Sequence, residues 1–205
     1  MSPRRGRCVM PRRSALLLVF AFAACRGGPD DRESTESFEP LTYDYLTPIR
    51  LNVATVDVAP PPAPSGAGDD MTVLDPVRPA DAMVQMAHDR LQALGTSGRA
   101  VLTIEDATIS RTDDVLDGSF AVELDIYTST DARAAFAEAR VSGRRPVGDG
   151  ESARQALYSL TKELMAQLNV ELEFQVRRSL RDWLVQPSAP EPTAVQQQPL
   201  PPPTP

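Results

Sequence analysis

Apolar and polar residues alternate along several stretches of this chain, and this pattern predicts β-strands. The strictest alternation covers residues 120–127, where Phe120, Val122, Leu124 and Ile126 fall on one side of an extended backbone and Ala121, Glu123, Asp125 and Tyr127 fall on the other. This is typical of an antiparallel strand with one buried and one solvated face. Residues 100–109 are predicted as another strand, and residues 49–58 as a first strand with a bulge near residues 54–55.

Two other stretches have a helical period. Residues 80–94 follow Pro79, which suits a first helical turn, and precede Gly95, which suits a C-terminal cap. Apolar residues at helical spacing predict a second, longer helix over residues 151–183. Residues 132–141 fit both periods, because their alanine content favours a helix whereas their alternation after a short turn favours a returning hairpin strand. We adopt the strand.

The predicted order of elements is β-α-β-β-β-α. It indicates an α+β fold in which two helices cover one face of a mostly antiparallel sheet. The composition of residues 113–118 and 143–150 predicts a turn and a break, and residues 59–78 form a Pro/Gly-rich loop. We therefore predict a single domain over residues 48–184, followed by a disordered Pro-rich tail over residues 185–205.

The first 25 residues carry the clearest functional signal. A segment with five arginines precedes the apolar residues 15–24, a run long enough for a signal peptide but too short for a spanning helix of about 20 residues. Ala23 and Ala24 lead directly into Cys25. This arrangement resembles the lipobox of bacterial lipoproteins, with Phe22 where that family usually has leucine. The resemblance implies cleavage between Ala24 and Cys25, and a diacylglyceryl group and further acyl chains such as palmitate on Cys25.

The leader leaves two alternatives open. Cys25 would be incidental if the leader were an ordinary secretory one, and Met10 would give a more typical leader length than Met1. With a lipobox, residues 1–24 are the signal peptide and residues 25–47 are the lipidated cysteine and a flexible tether. The apolar part of that tether, near residues 41–46, is expected to dock on the domain. The protein would face the periplasm from a membrane.

The residue that follows Cys25 and the net charge of the domain indicate which membrane and which partners to expect. Arg26, rather than an aspartate, follows Cys25, which favours the outer membrane over the inner membrane in bacteria that use this signal. Removal of residues 1–24, which hold five arginines and no acid, takes the formal charge from −7 to −12. A domain this acidic is repelled by phosphate backbones, so we expect no nucleic-acid partner.

The residues that commonly hold cofactors are scarce. The cysteines are Cys8 and Cys25, both in the amino-terminal segment, and the single histidine is His88. We therefore expect no disulfide within the domain, no thiolate or histidine metal cluster, and no cofactor. Glu123 and Asp125 share a strand face and are interpreted as part of a solvated surface rather than as a catalytic pair.

The remaining candidate site lies at the end of the last predicted helix. Arg177, Arg178 and Arg181 crowd this end, where cations interact favourably with the helix dipole and are also placed to bind an acidic partner. Over residues 48–183 the plan of elements resembles that of the auxiliary lipoproteins of ABC-type lipid transporters and of YajG-type lipoproteins. The resemblance implies a non-enzymatic binding or accessory subunit of an envelope transport or assembly system. The alternative is a structural lipoprotein whose Pro-rich tail reaches the cell wall.

Overall fold

The structure, a computed structural model, describes residues 36–61, 63 and 69–185. The chain divides into two compact units, Met1–Ser37 and Phe38–Pro205, and the fold below belongs to the second unit. Ala24, Cys25 and the Pro-rich tail beyond Val185 lie outside the described residues. In the part of the chain that is described, no helix is long and apolar enough to cross a membrane.

The elements form an α+β fold, as predicted. In chain order they are β1 (Ile49–Leu51), β2 (Thr55–Val58), α1 (Pro79–Arg90), β3 (Leu91–Ala93), β4 (Arg99–Thr112), β5 (Val115–Tyr127), β6 (Arg133–Pro146) and α2 (Ala153–Ser179), followed by a short 3₁₀ helix at Arg181–Trp183. The main sheet has the order β2-β4-β5-β6, in which only the β2–β4 pair is parallel. β1 and β3 form a separate parallel pair.

Both helices pack on one face of the main sheet, with α1 against β4 and α2 against β5 and β6. The four alternating apolar residues of β5 predicted to face the core are all fully buried. In β4 the alternation changes phase at Glu105, where the register with β5 shifts. Ile104 and Ile109 are five positions apart, so in a regular strand they would face opposite sides. The bulge places both on the buried face.

β6 confirms the hairpin strand preferred for residues 132–141, but it continues through the predicted break at Gly143. Its neighbour β5 begins at Val115, so only Asp113 and Asp114 remain of the predicted turn 113–118. The reason is the packing of α2. Gly118 and Gly143 are paired across the two strands, and a Cβ at Gly118 would lie 2.4 Å from Leu164 Cδ1. Both glycines therefore admit a helix side chain rather than make a turn.

The prediction of one bulged strand over residues 49–58 was wrong. β1 and β2 pair with different strands and belong to different sheets, with a bend at residues 52–54 between them. Gly95 lies against this bend, since a Cβ there would approach the Asn52 carbonyl carbon to 2.5 Å. Gly95 is thus required by a close backbone approach and does not cap a helix.

The bounds of both helices also differ from the sequence prediction. α1 ends at Arg90, four residues early, because Leu91–Ala93 turns extended and pairs with β1. α2 begins after Ser152, whose Oγ accepts a hydrogen bond from the Gln155 amide at 3.0 Å, which satisfies one free amide of the first turn. Its predicted last turn is the separate 3₁₀ helix.

Candidate functional site: a pocket beside the last helix

A pocket of about 490 Å³ lies at the carboxyl end of α2. Two segments distant in sequence line it: residues 47–50 at the start of the domain, and residues 173–185, which run from the last turns of α2 through Arg181 to Val185. A volume of this size falls in the range of small-molecule sites, roughly 300–1,000 Å³.

The apolar wall of the pocket is built by pairing three chain segments. β1 is bonded to β3 on one side, and residues 183–185 run along its other side. There the Val185 amide donates to the Arg50 carbonyl at 2.9 Å, and the Asn52 amide donates to the Trp183 carbonyl at 2.7 Å. This pairing brings Leu184 beside Ile49, and Val176 of α2 lies behind them. Ile49 and Val176 are buried, so the accessible apolar surface comes from the partly exposed Pro48, Leu184 and Val185.

A buried arginine supports the polar side of the pocket. Arg90, the last residue of α1, is 1% exposed. Its Nη1 donates to the Asn169 side-chain oxygen at 3.0 Å and to the Asn169 carbonyl at 3.2 Å, and its Nη2 donates to the Thr47 carbonyl at 3.0 Å. Nη2 also donates to Glu173 Oε2 at 2.6 Å. These contacts explain how a charge is tolerated in the core.

Arg90 was not predicted as a functional residue, although the sequence carried a signal. Arg90 follows Met83, Met86 and Ala87 at the spacing of one helix face, and all four side chains are buried. An arginine on an apolar stripe requires acceptors within the fold, here the buried Asn169 and the partly exposed Glu173, which no local pattern could identify.

Two of the three arginines singled out from the sequence meet in this pocket. Arg177 and Arg181 both line it together with Arg50, whereas Arg178 is exposed and is not part of the lining. Arg177 Nη2 lies 2.5 Å from Glu173 Oε1, so this carboxylate is held by guanidinium groups on both oxygens.

The rim of the pocket is electropositive despite the acidic composition of the chain. Among the described residues neither Arg181 nor Arg50 has a carboxylate oxygen within 4.0 Å. Asp182 follows Arg181 in the chain but does not line the pocket, and Glu173 is already paired. An anion entering here would therefore meet guanidinium groups with unused donors.

The carboxylates of the open sheet face form a charge-paired surface. Glu123 and Asp125 share this face, as expected, but Asp125 is buried rather than solvated. Arg133 binds both: its Nη2 lies 2.7 Å from Glu123 Oε1 and its Nε donates to Asp125, which compensates the buried charge. Burial raises the pKa of Glu123, neighbouring Asp125 raises it further, and Arg133 opposes both effects. No group of three or more metal-binding side chains is found in residues 36–61, 63 and 69–185.

A second buried polar contact lies under α2. Asp75, from the loop before α1, accepts hydrogen bonds from the Thr161 hydroxyl and, at 3.0 Å, from the Val77 amide. Both side chains are buried, and burial raises the pKa of Asp75 from 3.8 to about 6 against the opposing effect of these hydrogen bonds. This contact is remote from the pocket and connects the loop to α2.

The segment predicted as a free tether is packed on the domain from Phe38 onward. The Phe38 and Tyr158 rings lie 5.2 Å apart, and Tyr158 Oη donates to the Glu39 carbonyl at 3.1 Å. Tyr43 is buried, and its amide donates to Asp89 Oδ2 at 2.7 Å. The apolar part of the tether therefore docks, as expected, and Phe38–Thr47 belongs to the folded unit.

Comparison with known proteins finds a distant likeness among solved structures. No family model matches the sequence, and no curated protein matches it. Among solved structures, the chain is similar to protein XCC0632 from Xanthomonas campestris, of family DUF330, with a TM-score of 0.36 and 10% sequence identity. The matched region covers 69% of this chain and 92% of that protein.

Proposed function

We propose that this protein is a lipid-anchored, non-enzymatic lipoprotein of the bacterial cell envelope that serves as a binding or accessory subunit of a transport or assembly system. The lipobox-like leader ending at Cys25 supports the anchor. The observation that carries the binding role is the pocket at the end of α2, in which Ile49, Val176 and Leu184 form an apolar wall beside Arg177 and Arg181.

The groups that face this pocket are suited to binding rather than to proton transfer. Guanidinium groups stay protonated at every physiological pH and act only as donors. Glu173 is the acid of the lining, and both of its oxygens are engaged, one by buried Arg90 and the other by Arg177. The arrangement therefore offers fixed positive charge and apolar surface to a ligand or partner.

The pocket and the point at which the chain enters the folded unit lie at opposite ends of α2. The chain joins the domain at Phe38, which contacts Tyr158 near the start of α2. Arg177, at the other end of α2, lies about 28 Å further along the helix axis. The binding groups thus lie at the end of α2 remote from Phe38.

The partner can be sought by photocrosslinking in living cells. A photoreactive amino acid would replace Arg181 at the pocket or, as the control, Arg144, which is exposed on β6. We expect a discrete adduct with one envelope protein from position 181 and none from position 144.

Absence of an adduct at position 181, or the same adducts at both positions, would contradict the proposal. Sedimentation of the protein with peptidoglycan that is lost on deletion of residues 186–205 would instead support the structural alternative, in which the tail joins the membrane to the cell wall.

A further inference from the structure

The pocket combines two surfaces that a single kind of ligand can satisfy together. One side is apolar, where the partly exposed Pro48, Leu184 and Val185 lie over the buried Ile49 and Val176, and the rim carries Arg50 and Arg181. Neither arginine has a carboxylate within 4.0 Å in the described part of the chain. Filling the apolar part alone would leave the guanidinium groups unused, and an inorganic anion alone would leave the three partly exposed apolar residues in contact with water.

A peptide strand would find few backbone partners in this pocket. β1 has a neighbour on each side, since β3 pairs with it on one edge and residues 183–185 on the other. The amide of Val185 and the carbonyl of Arg50 are bonded to each other, so the strand that forms the floor has no free edge to extend by strand addition. The pocket therefore offers a ligand apolar surface and the hydrogen-bond donors of its guanidinium groups.

We propose that the pocket binds a single-chain amphiphile with an anionic headgroup, either a carboxylate or a phosphate. Its acyl chain packs against the partly exposed Pro48, Leu184 and Val185, and its headgroup accepts hydrogen bonds from Arg181 and Arg50. Arg177 lies on the same rim and pairs with Glu173, which also lines the pocket, so the charge of this carboxylate is compensated. This proposal rests on the binding role proposed above and identifies the chemical class of the ligand.

The chain contains one tryptophan, Trp183, and its position provides the assay. Trp183 lies in the chain between Arg181 and Leu184, which both line the pocket, so its fluorescence is a probe placed next to this site. The titrations would use the chain without residues 1–24 and with Cys25→Ser, which carries no lipid of its own. The probes are dodecanoate, decanoate, dodecyl phosphate and the neutral dodecanol, all below the concentrations at which they form micelles.

Each buried methylene changes the affinity by about fourfold, so we expect decanoate, which is two methylenes shorter, to bind roughly fifteenfold more weakly than dodecanoate. Dodecanol, without a charge, should bind at least about threefold more weakly than dodecanoate. Arg181→Gln should reduce dodecanoate affinity about threefold to tenfold, whereas Arg178→Gln, an exposed arginine outside the pocket, should leave it unchanged. A comparison of the affinities for dodecyl phosphate and for dodecanoate decides which headgroup the pocket prefers.

Several results would overturn the proposal. They are a fluorescence response with no dependence on chain length, equal binding of dodecanol and dodecanoate, or equal loss of affinity in the Arg178→Gln and Arg181→Gln variants. If no amphiphile binds while position 181 still crosslinks to an envelope protein, the occupant is a protein segment and only the ligand class is refuted. Binding of the amphiphile without any crosslinked protein would instead support this site and contradict the accessory-subunit role.

Discussion

Gly118 provides a direct test of how α2 packs on the sheet. A Cβ at this position would lie 2.4 Å from Leu164 Cδ1 and 3.4 Å from Leu160 Cδ2, whereas carbon atoms in contact are about 3.5–4.0 Å apart. Leu164 is fully buried and also lies against the paired Gly143, where a Cβ would approach to 3.1 Å. In the Gly118→Ala variant Leu164 must therefore move by about 1 Å in a packed core.

The expected loss of stability follows from two opposing effects. Overpacking of a core typically costs 1–3 kcal/mol, and replacement of a strand glycine by alanine returns roughly 0.5–1 kcal/mol. We therefore expect Gly118→Ala to lower the free energy of unfolding by about 1–2 kcal/mol. Urea denaturation followed by circular dichroism and by Trp183 fluorescence measures this value. Gly148→Ala is the matched control, because the nearest atom to its Cβ is Glu151 Oε2 at 3.4 Å.

A double-mutant cycle then identifies the clash. Leu164→Ala alone should cost about 2–5 kcal/mol through the cavity that it leaves. In the Gly118→Ala background the same change should cost at least about 1 kcal/mol less, because the new methyl group occupies part of that cavity. The close contact of Leu164 with Gly118 is refuted if Gly118→Ala is as stable as the natural chain, or if the two substitutions have additive effects on the free energy of unfolding.

Three further predictions test the buried polar contacts and the anchor. The folded-state pKa of Asp75, about 6, lies above its ordinary value of 3.8, so the stability that its protonation adds is present below about pH 4 and is lost as the pH rises through 6. Relative to Asp75→Asn, the free energy of unfolding of the natural chain should therefore rise by about 2–3 kcal/mol when the pH is lowered from 7.5 to 4, as measured by urea denaturation. If the difference in free energy between the two proteins is the same at both pH values, the burial of this carboxyl is contradicted. Arg90→Met should lower stability by about 3–5 kcal/mol, since it leaves acceptors on Asn169 and Glu173 without their donor, while Arg178→Met should stay within about 0.5 kcal/mol; similar losses in both would refute the role of Arg90. Cys25→Ser should move the protein from the membrane fraction to the soluble fraction and abolish labelling with a palmitate analogue, and retention in the membrane would exclude a lipid anchor on this residue.

Local pattern was sufficient for the elements whose burial repeats with a regular period. The strict alternation of residues 120–127 predicted β5, and the helical spacing over residues 151–183 predicted α2. Each element packs one face against the core along its whole length, so its burial repeats regularly. The returning strand over residues 132–141 followed from the same argument. These elements established the α+β class and the antiparallel part of the sheet.

The candidate site was predicted only in part. The run of arginines after residue 176 indicated a cationic helix end, and Arg177 and Arg181 do line the pocket. The apolar wall could not be predicted, because Ile49 and Leu184 meet only through pairing of segments more than 120 residues apart. Buried Arg90 likewise depends on Glu173, which lies 83 residues away along the chain.

The sequence by itself determined the α+β class and the elements with a regular apolar period, and it predicts the leader ending at Cys25. These features depend on residues that are neighbours along the chain or along one helix or strand. The tertiary structure decided the end of α1 at Arg90, the division of residues 49–58 between two sheets, and the roles of Gly95 and Gly118. In each of these, a contact with a distant segment outweighs a local preference of about 1 kcal/mol or less per residue.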